Sequence, residues 1–461
     1  MKELRENLQR KLLKSLKIIR TYDWLIDSYV LDFYVKDHWS EFPNSWQQVL
    51  ENATPQDLCY ILDFNDEMST LKMWPLSLLT LKVLFKELCI KRRENETQSI
   101  DHFSPLLRHP KLTNIFAKGV KHKKRHELEL MASTCAEMCQ NSAVDFIVDF
   151  GAGIGHLARV LGFGYGIKVC CLEMQYQLNK QAEEIDEQMI SLIKKYLPPK
   201  QAKMCRKPIH LNLCLTSTTT PEAFIRLIQK SLELNTDDYK FGIIGLHSCG
   251  DLAANLIHIF LNCKQAKFIN LVGCCYMKLS INDTTHKAGG GYPLSQYLSQ
   301  HSISFLSYEA REISCHAIEM YKQRLASSNY DCLKIHSFRA AAERIIVKHY
   351  PELRHSGLKS IKHSKNLQFE DYFYRAVVGL PVANISVENV MTAITERDLS
   401  RWWQIVVYYT LRLFFGPLIE SIILYDRILL LIENGCTVNI KAVFKANISP
   451  RNHITTAVKN R

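Results

Sequence analysis

The segment that most constrains this chain is Val148-Asp-Phe-Gly-Ala-Gly-Ile-Gly-His-Leu-Ala158. There an apolar run ends in Asp149-x-Gly151-x-Gly153-x-Gly155 and passes at once into a helical pattern. Glycines at alternate positions give a tight turn without Cβ atoms, so backbone can approach a bound molecule at the amino end of the next helix. Such a turn needs a strand before it and a helix after it. The flanking sequence repeats that arrangement. From Val144 onward, short apolar runs alternate with helical stretches, the pattern of βαβ units in a parallel sheet covered on both faces. The strands expected are 145–150, 167–172, 209–213, 241–247 and 268–274. They make an open, doubly wound α/β sheet, in which ligands bind beyond the carboxyl ends of the strands near the switch point.

Composition bounds what surrounds that sheet. With 47% hydrophobic and 23% charged residues among 461, the chain has too much apolar material for a disordered protein. Its 58 Lys and Arg against 46 Asp and Glu leave a net charge of +12, which permits an anionic partner such as RNA without requiring one. The segment Met1-Lys-Glu-Leu-Arg-Glu6 reads as a charged helix start rather than a secretory leader. The 15 Cys are therefore expected to be reduced intracellular thiols of the cytoplasm or nucleus, with no disulfide-linked partner. The most apolar stretch, 404–433, is interrupted by Arg412, Glu420, Asp426 and Arg427, and its longest uncharged run is eight residues. A membrane span needs about 18 to 20. Two buried helices around Gly416-Pro417 are expected instead.

Residues 1–140 carry apolar residues at helical spacing, as in Leu12, Leu13, Leu16 and Ile19. A basic stretch, Lys118 to Glu127 with Lys121, Lys123, Lys124 and Arg125, closes that region. It reads either as a solvated helix entry or as a phosphate-facing patch.

Two cofactor classes use a turn like 151–155. A dinucleotide fingerprint would place Gly at 156, where this chain has His156. The G-x-G-x-G spacing instead resembles the first motif of class I methyltransferases, whose ligand is S-adenosylmethionine. The next expected strand ends at Glu173, 24 residues after Asp149. An acid there can accept hydrogen bonds from both ribose hydroxyls of a nucleoside. Taken singly, the turn could be structural and Glu173 an ordinary strand-end residue; their combination favours a cofactor pocket.

Two further strand ends carry polar groups. Ile243-Ile-Gly-Leu-His247-Ser-Cys249-Gly-Asp251-Leu252 enters a helix with Asp251 placed as a cap, and Phe268 to Tyr276 ends in Cys274-Cys275-Tyr276. His247, Cys249, Cys274 and Cys275 have the chemistry of metal ligands. Adjacent Cys on one strand face opposite ways, however, and no C-x-x-C pair exists, so no metal is expected.

The segments DFGAGIGHLAR, GLHSCGDLA, VGCCYMKL and FKANISPRN together resemble the methyltransferase-like protein 25 family, including its branch named for a ribosomal RNA adenine dimethylase domain. The resemblance covers about Lys123 to the C-terminus. H-x-C-G-D followed by C-C-Y is also similar to segments of a tRNA ribose 2′-O-methyltransferase family, with Tyr276 standing where that family has His. The resemblance implies a class I S-adenosylmethionine-dependent methyltransferase, and the acceptor, RNA or protein, stays open. It makes Asp149, Gly151, Gly153, Gly155 and Glu173 the cofactor contacts, and the His247–Asp251 segment with Cys274 to Tyr276 the floor of the transfer site. His247 and Asp251 are the candidate proton acceptors, with Tyr276 beside them. Adenine dimethylases resemble one another in an N-I/L-P-Y/F turn after the fourth strand. Here that stretch is His247 to Asp251, which counts against exocyclic adenine amines as acceptors. The alternative function is a non-catalytic platform that kept the fold.

Such folds close their sheet with a helix, a strand and a final antiparallel strand. Pro417 opens a helix, Gly435 caps it, and 437–444 and 453–458 read as the two strands, joined at Ser449-Pro450-Arg451-Asn452. The expected organisation is a helical region 1–140, a methyltransferase domain of 141–276 plus 404–461, and an insertion 277–403 that selects the acceptor. The insertion contains a flexible hinge at Gly289-Gly290-Gly291. Its basic residues Arg339, Arg344, Lys348, Arg354, Lys359, Lys362 and Lys365, with His349, His355 and His363, suit an RNA-facing surface and a solvated helix face equally. Arg451 is read as a carboxylate partner rather than an anion site.

Overall fold

The computed structural model describes residues 2–65, 68–93, 109–117, 120–214, 219–236, 238–282, 290–327, 330–364 and 366–460. Lys118, Gly289 and Lys365, singled out above, lie outside the described residues. The chain divides into two compact units. One comprises Met1–Leu16, Ile90–Leu306 and Glu420–Arg461; the other comprises Lys17–Cys89 and Ser307–Ile419.

The first unit is built on seven strands: β1 Phe146–Phe150, β2 Val169–Glu173, β3 Ile209–Asn212, β4 Phe241–Cys249, β5 Ala266–Cys274, β6 Cys436–Ala442 and β7 His453–Lys459. Their order is β3-β2-β1-β4-β5-β7-β6. Strands β1 to β5 are mutually parallel, and β7 runs antiparallel to both β5 and β6. This is the doubly wound sheet with a closing antiparallel strand, a class I Rossmann-like fold. The order reverses between β1 and β4, which makes their carboxyl ends the switch point.

Burial explains why these runs were visible. β1 and β2 are buried throughout, and both sheet faces are covered, so the strands read as continuous apolar stretches. Phe146, Val148 and Phe150 pack on one face with Leu256, Ile257 and Phe260 of the helix Leu252–Asn262. Ile147 packs on the other with Leu128, Met131 and Cys135 of the helix His122–Ser142. Each such side chain contributes about 1.5–3 kcal/mol on burial. Expected and observed strand ends differ by at most two residues in these five. β4 runs on to Cys249 because a register shift between Leu246 and Ser248 absorbs His247, whose φ is +66°.

The second unit is helical. The sequence pattern separates an N-terminal helical region from an insertion, whereas the structure gathers 17–89 and 307–419 into one unit. Polar pairs join the two stretches: Arg354 Nη2 meets buried Asp32 at 2.6 Å, and Lys322 Nζ meets buried Asp63 at 2.8 Å. Residues 404–419 belong to this unit, and 277–306 remain with the sheet. The two helices expected in 404–433 are Trp402–Phe414 and Gly416–Glu433, and Gly435 follows at φ +75°. Among the described residues no helix is long and apolar enough to cross a membrane.

Candidate active site

Gly151, Gly153 and Gly155 have φ of +69°, +57° and +74°, a region that side-chain-bearing residues adopt only under strain. They carry the backbone from the end of β1 into the helix beginning at His156. A Cβ built on Gly153 would meet nothing within 4 Å, so the turn faces open space there. Gly155 is different. Its Cβ would come 2.8 Å from the His210 ring.

Glu173, at the end of β2, is bound to this turn. Its Oε2 accepts from the Gly153 N–H at 3.0 Å and its Oε1 from the Gln175 N–H at 3.0 Å. Each carboxylate oxygen keeps a further lone pair for a ligand hydroxyl. The backbone carbonyl of Glu173 accepts from the side-chain amides of Asn179 and Asn212, which fixes the strand end. Asp149 lies one residue inside β1 and is buried. Burial, then the nearby charge of Glu173, pushes its carboxyl up to about 7, against the charge of Lys124.

Beneath the turn sits a buried polar group that sequence reading missed. Arg159 Nε donates to Asp186 Oδ1 at 2.5 Å, His210 Nε2 meets Asp186 Oδ2 at 2.7 Å, and Arg159 Nη2 donates to the Ile154 carbonyl inside the turn. The arginine follows the glycines by one helical turn, its partner Asp186 lies on the later helix Tyr176–Tyr196, and His210, which meets Asp186, lies on β3. No local spacing shows that meeting.

The three candidates for proton transfer fare differently. His247 Nε2 is 2.9 Å from Glu127 Oε2, and its ring is partly exposed. Glu127 is buried and also accepts from Ser449 Oγ at 2.5 Å. Burial pushes the Glu127 carboxyl up, yet the His247 hydrogen bond and charge outweigh it and hold the group below the usual range. Asp251 precedes the helix Leu252–Asn262 without capping it. Its Oδ1 accepts instead from the Ser280 N–H at 2.8 Å. Tyr276 is buried, and its hydroxyl donates to Glu420 Oε1 at 3.2 Å. Glu420 also pairs with Arg92 at 2.6 Å and with Arg451 at 3.3 Å, so Arg451 is a carboxylate partner.

Residues 123–282 match a family described as a methyltransferase domain. The human protein named "Probable methyltransferase-like protein 25" is 29% identical over 240 residues, covering 50% of this chain and 38% of that protein. Its mouse counterpart is 28% identical over 229 residues, covering 48% and 37%. Over about half its length the chain is similar to methyltransferase-like protein 25. The matched region spans under two-fifths of the length of these relatives. Among solved structures, the plantazolicin methyltransferase BpumL in complex with SAH aligns at TM-score 0.23 and 11% identity, covering 77% of this chain and 92% of that one. Coclaurine N-methyltransferase bound to N-methylheliamine and SAH aligns at TM-score 0.23 and 10% identity, covering 90% and 89%.

The matched region starts in the helix His122–Ser142, whose first turn belongs to the basic stretch noted above. Lys123 lies 3.7 Å from Glu127, and Arg125 Nε donates to Glu129 at 2.9 Å. Lys124 is exposed, and its charge acts on both Asp149 and His156. Burial first, then Lys124 and Arg159, lowers His156 to about 4, which keeps the ring neutral at pH 7 beside the turn. The glycines expected to form a hinge are held instead. Gly290 N–H donates to Asn282 Oδ1 at 2.7 Å, and Gly291 N–H donates to Ser280 Oγ at 2.9 Å. Of the basic residues in the insertion, Arg344 and Arg354 pair with the buried carboxylates of Asp398 and Asp32. Among the described residues no cysteine forms a disulfide. Cys275 has φ +45° and lies just past the end of β5, so the opposite-face argument against clustering Cys274 with Cys275 does not hold.

Proposed function

We propose that this domain binds S-adenosylmethionine at the 151–155 turn and transfers its methyl group to a nucleophile on RNA or protein. The observation that carries the reading is the Glu173 carboxylate, held by the Gly153 N–H at the rim of a turn that leaves open space over Gly153. The residues fit the cofactor: an anchored acid with free lone pairs suits a ribose diol, and a Cβ-free turn suits close backbone approach.

When bound, the cofactor supplies an electrophilic methyl carbon. The chain's own part is to position and to move a proton. Glu173 accepts the ribose hydroxyls, and Gly153 leaves room for the nucleoside. Glu127 fixes the His247 ring through Nε2, which leaves Nδ1 to take the proton from the acceptor's hydroxyl or amine. A buried carboxylate behind a partly exposed histidine is the arrangement that orients a general base. The φ of +66° at His247 places backbone strain at the same point.

A second reading, a binding platform without turnover, draws on Asp251 and Tyr276, whose polar atoms are committed to Ser280 and Glu420. Titration calorimetry with S-adenosylmethionine, on the full chain and on Gly153→Arg, tests the pocket. Binding by the parent and none by the folded variant is expected; equal binding by both defeats the assignment. Labelled-methyl transfer to total RNA and to protein extract, run separately, then identifies the acceptor class. Cofactor binding with transfer to neither leaves the platform reading standing.

A further inference from the structure

The carboxyl ends of β4 and β5 bring together three thiols that the methyl-transfer scheme does not use. Cys249 and Cys274 are register partners on neighbouring parallel strands, and their Sγ atoms are 3.0 Å apart. The left-handed backbone at Cys275 breaks the alternation that would send its side chain to the far face. The three Sγ atoms consequently all lie within 4.8 Å of one another. Thiolates bound to one zinc at about 2.3 Å in a tetrahedron stand about 3.8 Å apart. The observed spread brackets that value.

A second observation concerns charge. Arg427 is buried, with its guanidinium over the Tyr276 ring at 5.7 Å and its Nη1 2.9 Å from where a Cβ on Gly273 would stand. Its Nε and Nη2 have no hydrogen-bond partner among the described residues. The charges of Asp426 and Asp251 reach it, but the hydrogen bonds of these two carboxylates are made elsewhere. Asp426 accepts from the Leu294 and Ser295 N–H groups and from Ser295 Oγ, and Asp251 accepts from Ser280. A buried cation left in this way is costly, and an anionic centre at the adjoining cysteines would offset it. Three thiolates on a divalent cation carry one net negative charge. The other cluster of potential ligands, Asp32 with Glu343 and His355, lacks such a demand because Arg354 already occupies Asp32.

We propose that Cys249, Cys274 and Cys275 hold one zinc ion through three thiolates, with the fourth coordination position taken by water. Cys249 and Cys275 are half-buried, which leaves a route to solvent, and three protein ligands with one open position is the pattern of a reactive rather than a closed site. On binding, three S–H protons pass to solvent and three S–Zn bonds form, with no electron transferred. Soft thiolate ligands select zinc over magnesium or calcium.

The test uses the full chain, stripped with chelator and kept reduced, titrated with cobalt(II) and then zinc(II). One zinc per chain by elemental analysis is expected, with a thiolate-to-cobalt charge-transfer absorption that zinc abolishes. Cys275→Ser should weaken zinc binding at least tenfold, while Cys214→Ser, at an exposed cysteine, should leave it unchanged. Circular dichroism confirms that each variant is folded. No charge-transfer band in the parent overturns the proposal, as does equal zinc affinity in a folded Cys249→Ser/Cys275→Ser double variant. A Cys249–Cys274 disulfide that persists under reductant, with no zinc bound, overturns it as well.

Discussion

Oε2 of Glu173 accepts the Gly153 N–H at 3.0 Å, so the acid at the end of β2 and the glycine turn at the end of β1 form one unit. Replacing the carboxylate with an amide keeps its shape but removes the charge, and it brings an NH2 group against one of two backbone donors. Hydrogen bonds to a charged group contribute about 1.5–3 kcal/mol each. Glu173→Gln should therefore weaken S-adenosylmethionine binding by about ten- to a hundredfold, as read by calorimetry at temperatures where the variant is still folded. An unchanged dissociation constant removes Glu173 from the pocket.

Asp149 gives a dependence on pH. Burial and the Glu173 charge raise its carboxyl from 3.8 to about 7 in the folded chain. Below 3.8 both folded and unfolded chains hold the proton. As the pH rises from there to about 7, the unfolded chain releases a proton that the folded chain keeps, so this group lowers stability progressively and its effect levels off above 7. Asp149→Asn removes that loss. Its stability relative to the parent should rise by about 1–3 kcal/mol between pH 4 and pH 8, measured by urea denaturation without cofactor. A constant difference across that range would contradict the assigned shift.

The five parallel strands were legible because burial on both sheet faces makes each a continuous apolar run, as in Phe146–Phe150. The glycine turn was legible because positive φ at the alternate positions 151, 153 and 155 favours glycine. What escaped depends on meetings between distant residues. Glu127 sits in a stretch read for its lysines, and only the fold brings it to His247, 120 positions later. Asp251 has the sequence position of a cap, yet Ser280 offers a better donor. The pairing of 17–89 with 307–419 rests on ion pairs such as Asp32 with Arg354, which leave no periodic trace. Cys275 escaped for a local reason: a non-glycine residue with φ +45° has no sequence signature.

The buried pair of Arg159 and Asp186 holds the turn from below, with His210 on the second carboxylate oxygen. Removing one partner strands the other charge in the interior, which costs about 3–5 kcal/mol. Asp186→Ala should lose that much in urea denaturation. Arg159→Met, which removes the arginine bonds to both Asp186 and Ile154, should also weaken cofactor binding at temperatures where the variant is still folded. A loss below 1 kcal/mol for Asp186→Ala would show that the group is solvated in solution.

Glu127 and His247 give the most direct test of catalysis. Glu127 touches neither the glycine turn nor Glu173 by any hydrogen bond described above, so its effect on turnover is separable from cofactor binding. In Glu127→Gln the side chain still fits against Ser449 and His247, but the negative charge that stabilises a protonated His247 is gone. A positioned general base contributes about a hundred- to ten-thousandfold. Glu127→Gln should therefore lower the methyl-transfer rate about a hundredfold or more, while S-adenosylmethionine affinity stays within about twofold of the parent. The same variant separates catalysis from stability in its pH profile. Glu127 is held below its usual range in the folded chain, so its stabilising effect is present at neutral pH and is lost as the pH falls through that depressed value. The parent should accordingly lose stability on acidification more steeply than the variant. Full transfer activity in Glu127→Gln would take His247 out of the proton path.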